Sequence, residues 1–249
     1  MFSVVNFVKY IRHWFEAKVM KKIGIIVAVP AEVRGFIEKL NINKTVDYAG
    51  KTFYISTSKD YEVIIVLSGV GKVNASISAT LLMSKFDVDM VISTGVAGGL
   101  QHVKPKEIVI AQTLVQHDID TTAFGDPLGL IPNLNIVEVK SNEKLVNLLK
   151  DEVKDAKLGT LASGDQFICS KEKANEIKNN FKAIACDMES CAIAQVAAFF
   201  EIPSVAIRLI SDLAGEDANN EYFFNLEQSA KDMAFLIVDI LPKLVKVEF

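Results

Sequence analysis

The segment IGIIVAV at 23–29 is followed at once by PAEVRGF at 30–36, and this junction indicates the fold class. A continuous apolar run rich in β-branched residues is typical of a strand that is buried on both faces. Pro30 suits the first turn of a helix, and apolar residues then return at three- and four-residue steps. A buried strand that leads directly into a helix predicts a crossover unit of the kind that builds parallel sheets.

The same alternation of β-branched runs and amphipathic stretches continues along the chain. Strands are expected at 23–29, 63–68, 90–95, 107–112, 158–163 and 204–211. Helices are expected at 31–40, 72–85, 142–154, 171–179, 189–200 and 225–246. The predicted fold class is therefore α/β, with three layers and a mostly parallel mixed β-sheet flanked by helices. No repeat or Pro/Ser-rich linker interrupts the pattern, so residues 20–249 are predicted to form one domain.

Composition narrows the classes of function. The net charge of -4 provides no basic surface for nucleic acid, so a small-molecule partner is favoured. Cysteine and histidine spacings suggest neither a disulfide framework nor a metal site, and no cofactor is predicted. Free cysteines are typical of a reducing compartment, which predicts a cytoplasmic protein.

Residues 1–19 form an N-terminal extension in which apolar side chains recur at helical spacing beside basic ones. The extension has no small-residue cleavage site, and it is too short and too charged to span a bilayer. Three interpretations remain open. The segment is a helix packed on the protein body, an upstream start that leaves Met20 as the first functional residue, or a helix on a membrane surface.

Glycines and an irregular loop mark places where a ligand is expected. Ligands of open α/β sheets bind beyond the carboxyl ends of the strands. Gly69 and Gly71 precede the helix expected at 72–85, and a second glycine-rich turn, STGVAGGL at 93–100, follows another strand. Such turns, the second with Gly95, Gly98 and Gly99, predict a pocket floor of backbone amides. The long segment 116–136 is irregular, which is typical of a functional or disordered loop.

Charged and aromatic side chains follow the other strands. Glu32 lies near a helix N-terminus, where the helix dipole alone explains a carboxylate. Phe167 is placed to stack on a base or to join the core. Asp187 and Glu189 flank Met188 at a helix entrance, where Glu189 is able to accept from sugar hydroxyls.

Arg208 lies inside the apolar strand SVAIRLIS, with Ser211 and Asp212 at its tip. A buried arginine predicts a carboxylate partner in the interior, because an unpaired charge there is costly.

With these residues identified, the chain resembles the 5'-methylthioadenosine/S-adenosylhomocysteine nucleosidases of the nucleoside phosphorylase superfamily. The resemblance extends from about Met20 to the C-terminal helix, and the motifs occur in the family's order. They are GIIVAVPAEV, SGVGKVNAS, STGVAGGL, HDIDTTAFG, SGDQFI, CDMESCAIA and RLISD. The resemblance implies a nucleoside phosphorylase-like fold. It also implies hydrolysis of the N-glycosidic bond of 5'-methylthioadenosine and S-adenosylhomocysteine, with release of adenine.

The resemblance also implies a role for each residue. Glu32 polarises the attacking water with help from Arg208, and Asp212 protonates N7 of adenine. The expected substrate-binding residues are Ala97, Gly98, Phe167, Ile168, Met188, Glu189, Ser211, Phe124 and Pro132. Of these, Phe167 stacks on adenine, Ile168 binds its edge through the backbone, and Glu189 binds the ribose hydroxyls. The implied state is a homodimer in which the loop of Phe124 and Pro132 reaches the partner's pocket.

Two positions depart from the family pattern. Val96 stands where many relatives have a serine, which removes a hydroxyl near the expected water. Asp187 replaces a more usual glutamate, which shortens the acid and keeps its charge. Neither departure changes Glu32, Glu189 or Asp212, so the expected effect is on substrate preference.

Three other functions remain open. A nucleoside phosphorylase would attack the same bond with phosphate and needs a cationic cradle for it. The strand DMVISTG at 89–95 lacks the arginine that phosphate-using relatives carry, although Arg34 lies close to the first turn. A hydrolase for aminofutalosine would share the adenine site, and a nucleoside-binding protein would keep the fold without catalysis.

Overall fold

The computed structural model describes residues 20–215 and 217–249, so the expectations for residues 1–19 lie outside the described residues. The strands of this part are β1 (Lys21–Val27), β2 (Lys44–Tyr48), β3 (Lys51–Thr57), β4 (Tyr61–Leu67), β5 (Met90–Gly99), β6 (Ile108–Gln116), β7 (Val139–Lys140), β8 (Lys157–Ser163), β9 (Ala185–Asp187) and β10 (Ser204–Asp212). The α-helices are α1 (Pro30–Lys39), α2 (Lys72–Phe86), α3 (Glu143–Glu152), α4 (Lys171–Phe181), α5 (Ser190–Phe199) and α6 (Ala218–Leu244). Among residues 20–215 and 217–249, no helix combines the length and the hydropathy that a bilayer span requires.

All the strands listed belong to one mixed sheet. Its path runs β2-β3-β4-β1-β5, and β5 then pairs with both β9 and β10. β10 pairs with β6, β6 pairs with β8, and β8 pairs with β9. The strands β5, β10, β6, β8 and β9 therefore close into a ring. The pairs β1–β4, β1–β5, β5–β10, β6–β8 and β8–β9 are parallel. The predicted α/β class with a mixed sheet is confirmed.

Helices cover both faces of the sheet. On one face, α1, α3 and α6 pack on β1, β4, β5 and β10 around side chains such as Ile25, Phe36 and Ile237. On the other face, α2 and α5 pack on β3 and β4 around Phe53 and Leu82. A Cβ at Gly35 would come within 2.7 Å of the Ala234 Cβ atom, so the absence of a side chain there lets α1 lie close to α6. This close packing fixes the helix that carries Glu32.

Every expected strand and helix is present, and the differences lie in short or edge elements. The β2–β3 hairpin turns at Ala49 and Gly50, both with positive φ, and most of β2 is exposed because it is an edge strand. β5 continues to Gly99, so the glycines expected in a turn after this strand lie within it. The last helix begins at Ala218 rather than at 225, which brings the segment NNEYFF into its first turns.

Candidate active site

A cavity of about 480 Å³ opens at the carboxyl ends of β1, β5, β8, β9 and β10. Nine of the predicted site residues line it, namely Glu32, Ala97, Gly98, Phe167, Ile168, Met188, Glu189, Ser211 and Asp212. Parallel strands bring their carboxyl ends together, which is why residues distant in sequence meet here. Three predicted residues, Phe124, Pro132 and Arg208, are not among those that line it.

Glu32 is held in a fixed position by backbone amides. Its Oε2 atom accepts from the amides of Ala28 (2.7 Å) and Val29 (3.1 Å), and Oε1 accepts from the amide of Val96 (3.1 Å). Burial raises the pKa of Glu32, while the charge of Arg208 and these three amides act in the opposite direction. The carboxyl group is therefore a buried acceptor on the floor of the cavity rather than only a charge at a helix end.

Gly95 makes the position of Glu32 feasible. Its φ of +147° lies in a region that glycine tolerates best, and a Cβ atom there would overlap Oε1 of Glu32. The contact from residue 96 is made by the backbone amide, so valine in place of serine leaves it intact.

Asp212 occupies the end of β10 and is almost fully buried. Its Oδ2 atom accepts from the Ser211 hydroxyl (2.8 Å), and its Oδ1 atom accepts from the Ala214 amide (2.9 Å). Burial raises the pKa of Asp212, the two hydrogen bonds lower it, and the charge of Glu221 raises it further, so the net direction is upward. A raised pKa favours the protonated form, which is the form that can donate a proton.

Helix α6 supports the Asp212 segment. Asn225 donates its side-chain amide to the Ser211 carbonyl (2.8 Å), and Glu221 accepts from the Leu213 amide (3.1 Å). These two contacts tie the loop after β10 to the first turns of the helix.

Glu189 caps the start of α5 and points back toward the turn before α2. Its Oε1 atom accepts from the Gly71 amide (2.8 Å), so this amide, which was expected on the pocket floor, binds a side chain of a neighbouring element. Burial and then the charge of Asp187 raise the pKa of Glu189 to about 7.

The turn before α2 is braced from outside the cavity. Lys72 donates its ammonium to Asp118 (2.6 Å) and Gln116 (2.9 Å), and its amide donates to Asp165 (2.7 Å). Asp118 therefore pairs with Lys72, whereas the ring nitrogens of the adjacent His117 have no hydrogen-bond partner among residues 20–215 and 217–249.

Arg208 lies behind the cavity in a buried polar cluster. Its Nε donates to Asp187 Oδ2 (3.0 Å), and an Nη atom donates to the Ser93 hydroxyl (2.8 Å). The carboxylate partner predicted for this arginine is therefore present, and it is Asp187. Asp187 also accepts from the hydroxyls of Ser163 and Ser190. These contacts explain why a shorter acid at 187 fits: its oxygens are engaged by the protein.

Aromatic side chains surround the mouth of the cavity. Phe167 is 44% exposed, and its ring meets Tyr222 edge-on at a centroid distance of 5.6 Å. Tyr222 in turn meets Phe223 at 5.3 Å. Sequence reasoning missed Asn219, Tyr222 and Phe223, because they precede the helix start that periodicity predicted. The segment NNEYFF, with its adjacent aromatics after a strand tip, was the available signal.

The loop residues expected at a partner's pocket lie apart from the cavity. Phe124 ends a short 3-10 helix (Thr122–Phe124) and is 86% exposed. Pro132 is also exposed, within the irregular segment that follows.

Four carboxyl groups around one cavity at the strand ends of an α/β sheet define an acid–base site for a small molecule. Comparison with known proteins identifies the family. The family model described as "Phosphorylase superfamily" matches residues 22–242. The chain belongs to this superfamily and, within it, to the family of the 5'-methylthioadenosine/S-adenosylhomocysteine nucleosidases.

Similar proteins match over nearly their whole length. A 5'-methylthioadenosine/S-adenosylhomocysteine nucleosidase of Staphylococcus carnosus is 37% identical over 89% of this chain and 100% of its own. An aminodeoxyfutalosine nucleosidase of Campylobacter jejuni is 34% identical over 90% of this chain and 100% of its own. A crystal structure of a Helicobacter pylori MTAN mutant with 5'-methylthioadenosine in the active site superposes with a TM-score of 0.87. It is 32% identical and covers 90% of this chain and 99% of its own.

The raised pKa of Glu189 predicts a pH-dependent cost in stability. The folded chain binds this proton more tightly than the unfolded chain, so the resulting stabilisation is complete below the ordinary value of 4.5 and is lost as pH rises through about 7. Glu189→Gln keeps an acceptor for Gly71 and never ionises. The variant's gain in the free energy of unfolding over wild type should grow by on the order of 2 kcal/mol between pH 5 and pH 8 in urea titrations.

The matched control is Glu138→Gln, because Glu138 is exposed. Its difference from wild type should stay nearly constant with pH. A Glu189→Gln difference that is equally flat would contradict the account of this site.

Proposed function

We propose that this chain hydrolyses the N-glycosidic bond of 5'-methylthioadenosine and S-adenosylhomocysteine and releases adenine. The observation that carries the proposal is the pair of buried carboxyl groups, Glu32 and Asp212, that line one cavity and are held in different ways. Glu32 accepts hydrogen bonds from three backbone amides, whereas Asp212 accepts one from a hydroxyl and one from a backbone amide. The names of the similar nucleosidases agree with this chemistry. Residues 20–249 form the proposed catalytic domain.

On the water side, Glu32 is the proposed group that polarises the nucleophile. Cleavage of a glycosidic bond builds positive charge on the sugar, and a carboxylate near the attacked carbon stabilises both that charge and the incoming water. The charge of Arg208 favours the ionised form of Glu32 without occupying the cavity itself. Arg208 is therefore a positioning residue in this proposal rather than a group that touches the water.

On the purine side, Asp212 is the proposed general acid. Adenine departs poorly as an anion, so protonation at N7 lowers the barrier, by a factor of typically about 10² to 10⁴ for a well-placed acid. Burial raises the pKa of Asp212, which keeps the proton available. The Ser211 hydroxyl fixes one carboxyl oxygen, so the other points along a constant direction.

The remaining lining residues divide between base and sugar. Phe167 provides the proposed stacking surface for adenine, and the backbone of Ile168 binds the edge of the base. Ala97 and Gly98 form the backbone wall, with the proposed sugar contacts at Met188 and Glu189. Glu189 holds the ribose hydroxyls when it is ionised, because a carboxylate accepts two hydrogen bonds.

Phosphorolysis is the less favoured reaction. Among the described residues that line the cavity, none is a lysine or an arginine, and a phosphate dianion needs such a cradle. Arg34 points elsewhere, because its guanidinium pairs with Glu227 (2.5 Å). Four engaged carboxyl groups also argue against a protein that only binds nucleosides.

Aminodeoxyfutalosine is the second candidate substrate, since the Campylobacter jejuni relative that bears this name matches over its full length. Its hydrolysis would use the same acids and the same adenine surface. The 5' substituent alone would differ, and the mouth of the cavity is where the distinction would be made.

We also propose a homodimer in which Phe124 and Pro132 complete the partner's pocket. Val70, Val73 and Ile77 project from α2 and its preceding turn at helical spacing, and all are exposed in one chain together with Phe124. Exposed apolar side chains at this spacing are typical of an interface. A cytoplasmic location is proposed as well, because Cys169, Cys186 and Cys191 are all free.

The reaction type is tested by incubating the protein with 5'-methylthioadenosine in buffer with and without phosphate and following adenine by chromatography. We expect the same rate in both buffers, with the free thioribose as the second product. A strict requirement for phosphate, or a sugar phosphate as product, would refute hydrolysis. Inosine and S-adenosylhomocysteine in parallel reactions report the preference for the base and for the 5' substituent.

Asp212→Asn should lower kcat by about 10² to 10⁴ while the Kd for 5'-methylthioadenosine changes little. Asparagine keeps an acceptor for the Ser211 hydroxyl and cannot deliver the proton. Single-turnover kinetics and calorimetry separate the two effects. Turnover at the wild-type rate would exclude Asp212 as the acid.

Gly95→Ala should lower kcat by about 10²-fold. The added Cβ atom displaces the Glu32 carboxyl group from its position, and a small misplacement of a catalytic group has an effect of this size. The control is Gly50→Ala, which also places alanine at positive φ but meets no atom within 4 Å. Both variants place alanine at positive φ, and Gly95→Ala is the one that puts the new Cβ atom against Glu32. Equal kcat values for the two variants would contradict the proposed role.

A further inference from the structure

One ion pair and its hydrogen bonds join the turn before α2 to two other loops at the same end of the sheet. The Lys72 ammonium contacts Asp118, which follows β6, at 2.6 Å, and it donates to Gln116 at 2.9 Å. The Lys72 amide donates to Asp165, which follows β8, at 2.7 Å. The Asp165 amide donates in turn to Asp118 at 2.8 Å. Three segments that are distant in sequence therefore meet in one closed set of contacts, which we call the loop brace (Lys72, Asp118 and Asp165).

The ion pair of the loop brace is largely shielded from water. The side chains of Lys72 and Asp118 are each 17% exposed. Burial acts to raise the pKa of Asp118, but the hydrogen bonds from Lys72 and Asp165 outweigh burial, so the pKa is lowered. Asp118 is therefore ionised at neutral pH, and solvent screens its attraction to Lys72 less than it screens a surface pair.

The loop brace reaches the sugar-side acid of the cavity through a single amide. Gly71, the residue before Lys72, donates its amide to Oε1 of Glu189 at 2.8 Å. A Cβ atom at Gly71 would lie 3.0 Å from Oδ1 of Asp165, so the turn is in close contact with the loop after β8. Because this amide holds one oxygen of Glu189, the direction of the other oxygen depends on where the turn lies.

The loop brace also borders the surface proposed for the base. Gln166, Phe167 and Ile168 line the cavity and follow Asp165 directly in the chain. Among the described residues that line the cavity, none belongs to the loop brace. A change in the brace would therefore shift the base surface relative to the sugar-side acid without removing any group that lines the cavity.

We propose that Lys72 and Asp118 are positioning residues for ribose recognition, which act on the substrate through the Gly71 amide and Glu189. The inference rests on the proposed function, in which Glu189 accepts from the ribose hydroxyls and Phe167 stacks on adenine. A group that binds two neighbouring hydroxyls must be held within about 0.5 Å of its working geometry. The ion pair provides this constraint, because it fixes the turn against loops that belong to two other strands.

The expected consequence is that the preference for ribose over 2'-deoxyribose depends on the loop brace. A site built to bind a hydroxyl discriminates against the analogue that lacks it, because the polar group of the site is then left without a partner. If the turn shifts, Glu189 binds the 2'-hydroxyl less well. The loss then falls more heavily on the ribonucleoside than on its 2'-deoxy analogue.

The test uses 5'-methylthioadenosine and its 2'-deoxy analogue, which differ only in the 2'-hydroxyl. Initial rates of adenine release give kcat/KM for both nucleosides with wild type, Lys72→Met and Asp118→Asn. Methionine keeps the backbone amide and removes the charge, whereas asparagine keeps one acceptor oxygen. We expect the ratio of kcat/KM, ribonucleoside to 2'-deoxy analogue, to fall about fivefold to tenfold in Lys72→Met. The ratio should fall in the same direction, but by less, in Asp118→Asn.

The route through Glu189 is tested by adding Lys72→Met to Glu189→Gln. Two changes that act through the same residue are not additive. In the Glu189→Gln background, Lys72→Met should therefore change the ratio by less than about twofold. A fall as large as in wild type would show that the ion pair acts by another route, and it would overturn the inference.

Taking a ratio cancels any loss of folded protein in a variant. The matched control is Lys39→Met, because Lys39 also forms an ion pair, with Asp239 at 2.6 Å. Lys39 lies at the end of α1 and outside the cavity lining. The ratio for this control should equal that of wild type.

Ratios within about twofold of wild type for both Lys72→Met and Asp118→Asn would overturn the inference while leaving the proposed hydrolysis intact. A wild-type chain that releases adenine from neither nucleoside would instead overturn the proposed function, and this inference with it.

Discussion

The ion pair between Arg208 and Asp187 is the interaction on which the rest of the site depends. Both side chains are about 97% buried or more, with exposures of 3% and 2%, and their closest atoms lie 3.0 Å apart. Removing one partner of such a pair leaves an unpaired buried charge and costs about 3–5 kcal/mol. The pair spans the ring of strands from β10 to β9, which are not hydrogen-bonded neighbours. It therefore links β10, whose last residue is Asp212, to the end of β9, from which the chain continues to Glu189.

Because Arg208 pairs with Asp187, the other acids of the cavity have different hydrogen-bond partners. Four carboxyl groups line the cavity, and the direct contact with Arg208 belongs to Asp187. Glu32, Glu189 and Asp212 depend instead on amides and a hydroxyl, and burial raises the pKa of each. The charge of Arg208 opposes this effect at Glu32, whereas the charge of Glu221 adds to it at Asp212. This difference favours an ionised acceptor and a protonated donor in one cavity, which is the condition for general base and general acid to work on the same bond. Burying these acids lowers the stability of the fold, and the same burial gives the acids the pKa values that the reaction needs.

Much of the fold could be predicted from local pattern, and the site only in part. Buried β-branched runs locate six strands because such runs need cover on both faces. The edge strand β2 and the short β9 carry no such run, and the closure of the ring depends on pairings between distant segments. The acids Glu32, Glu189 and Asp212 were predictable from motifs. The amide of Gly71 on Glu189 and the role of Gly95 beside Glu32 were not, because both are contacts between distant parts of the chain. The positions of Phe124 and Pro132 at a partner's pocket stay a prediction.

The central claim is that burial makes Asp212 a proton donor in the cavity. Carboxyl carbon NMR of protein labelled with ¹³C at the aspartate γ position tests this most directly, with the Asp212 signal assigned by its loss in Asp212→Asn. The account predicts that this signal titrates at a pH above the ordinary aspartate value of 3.8. A signal that titrates at or below 3.8 would show that the hydrogen bonds from Ser211 and Ala214 outweigh burial, and it would contradict the account.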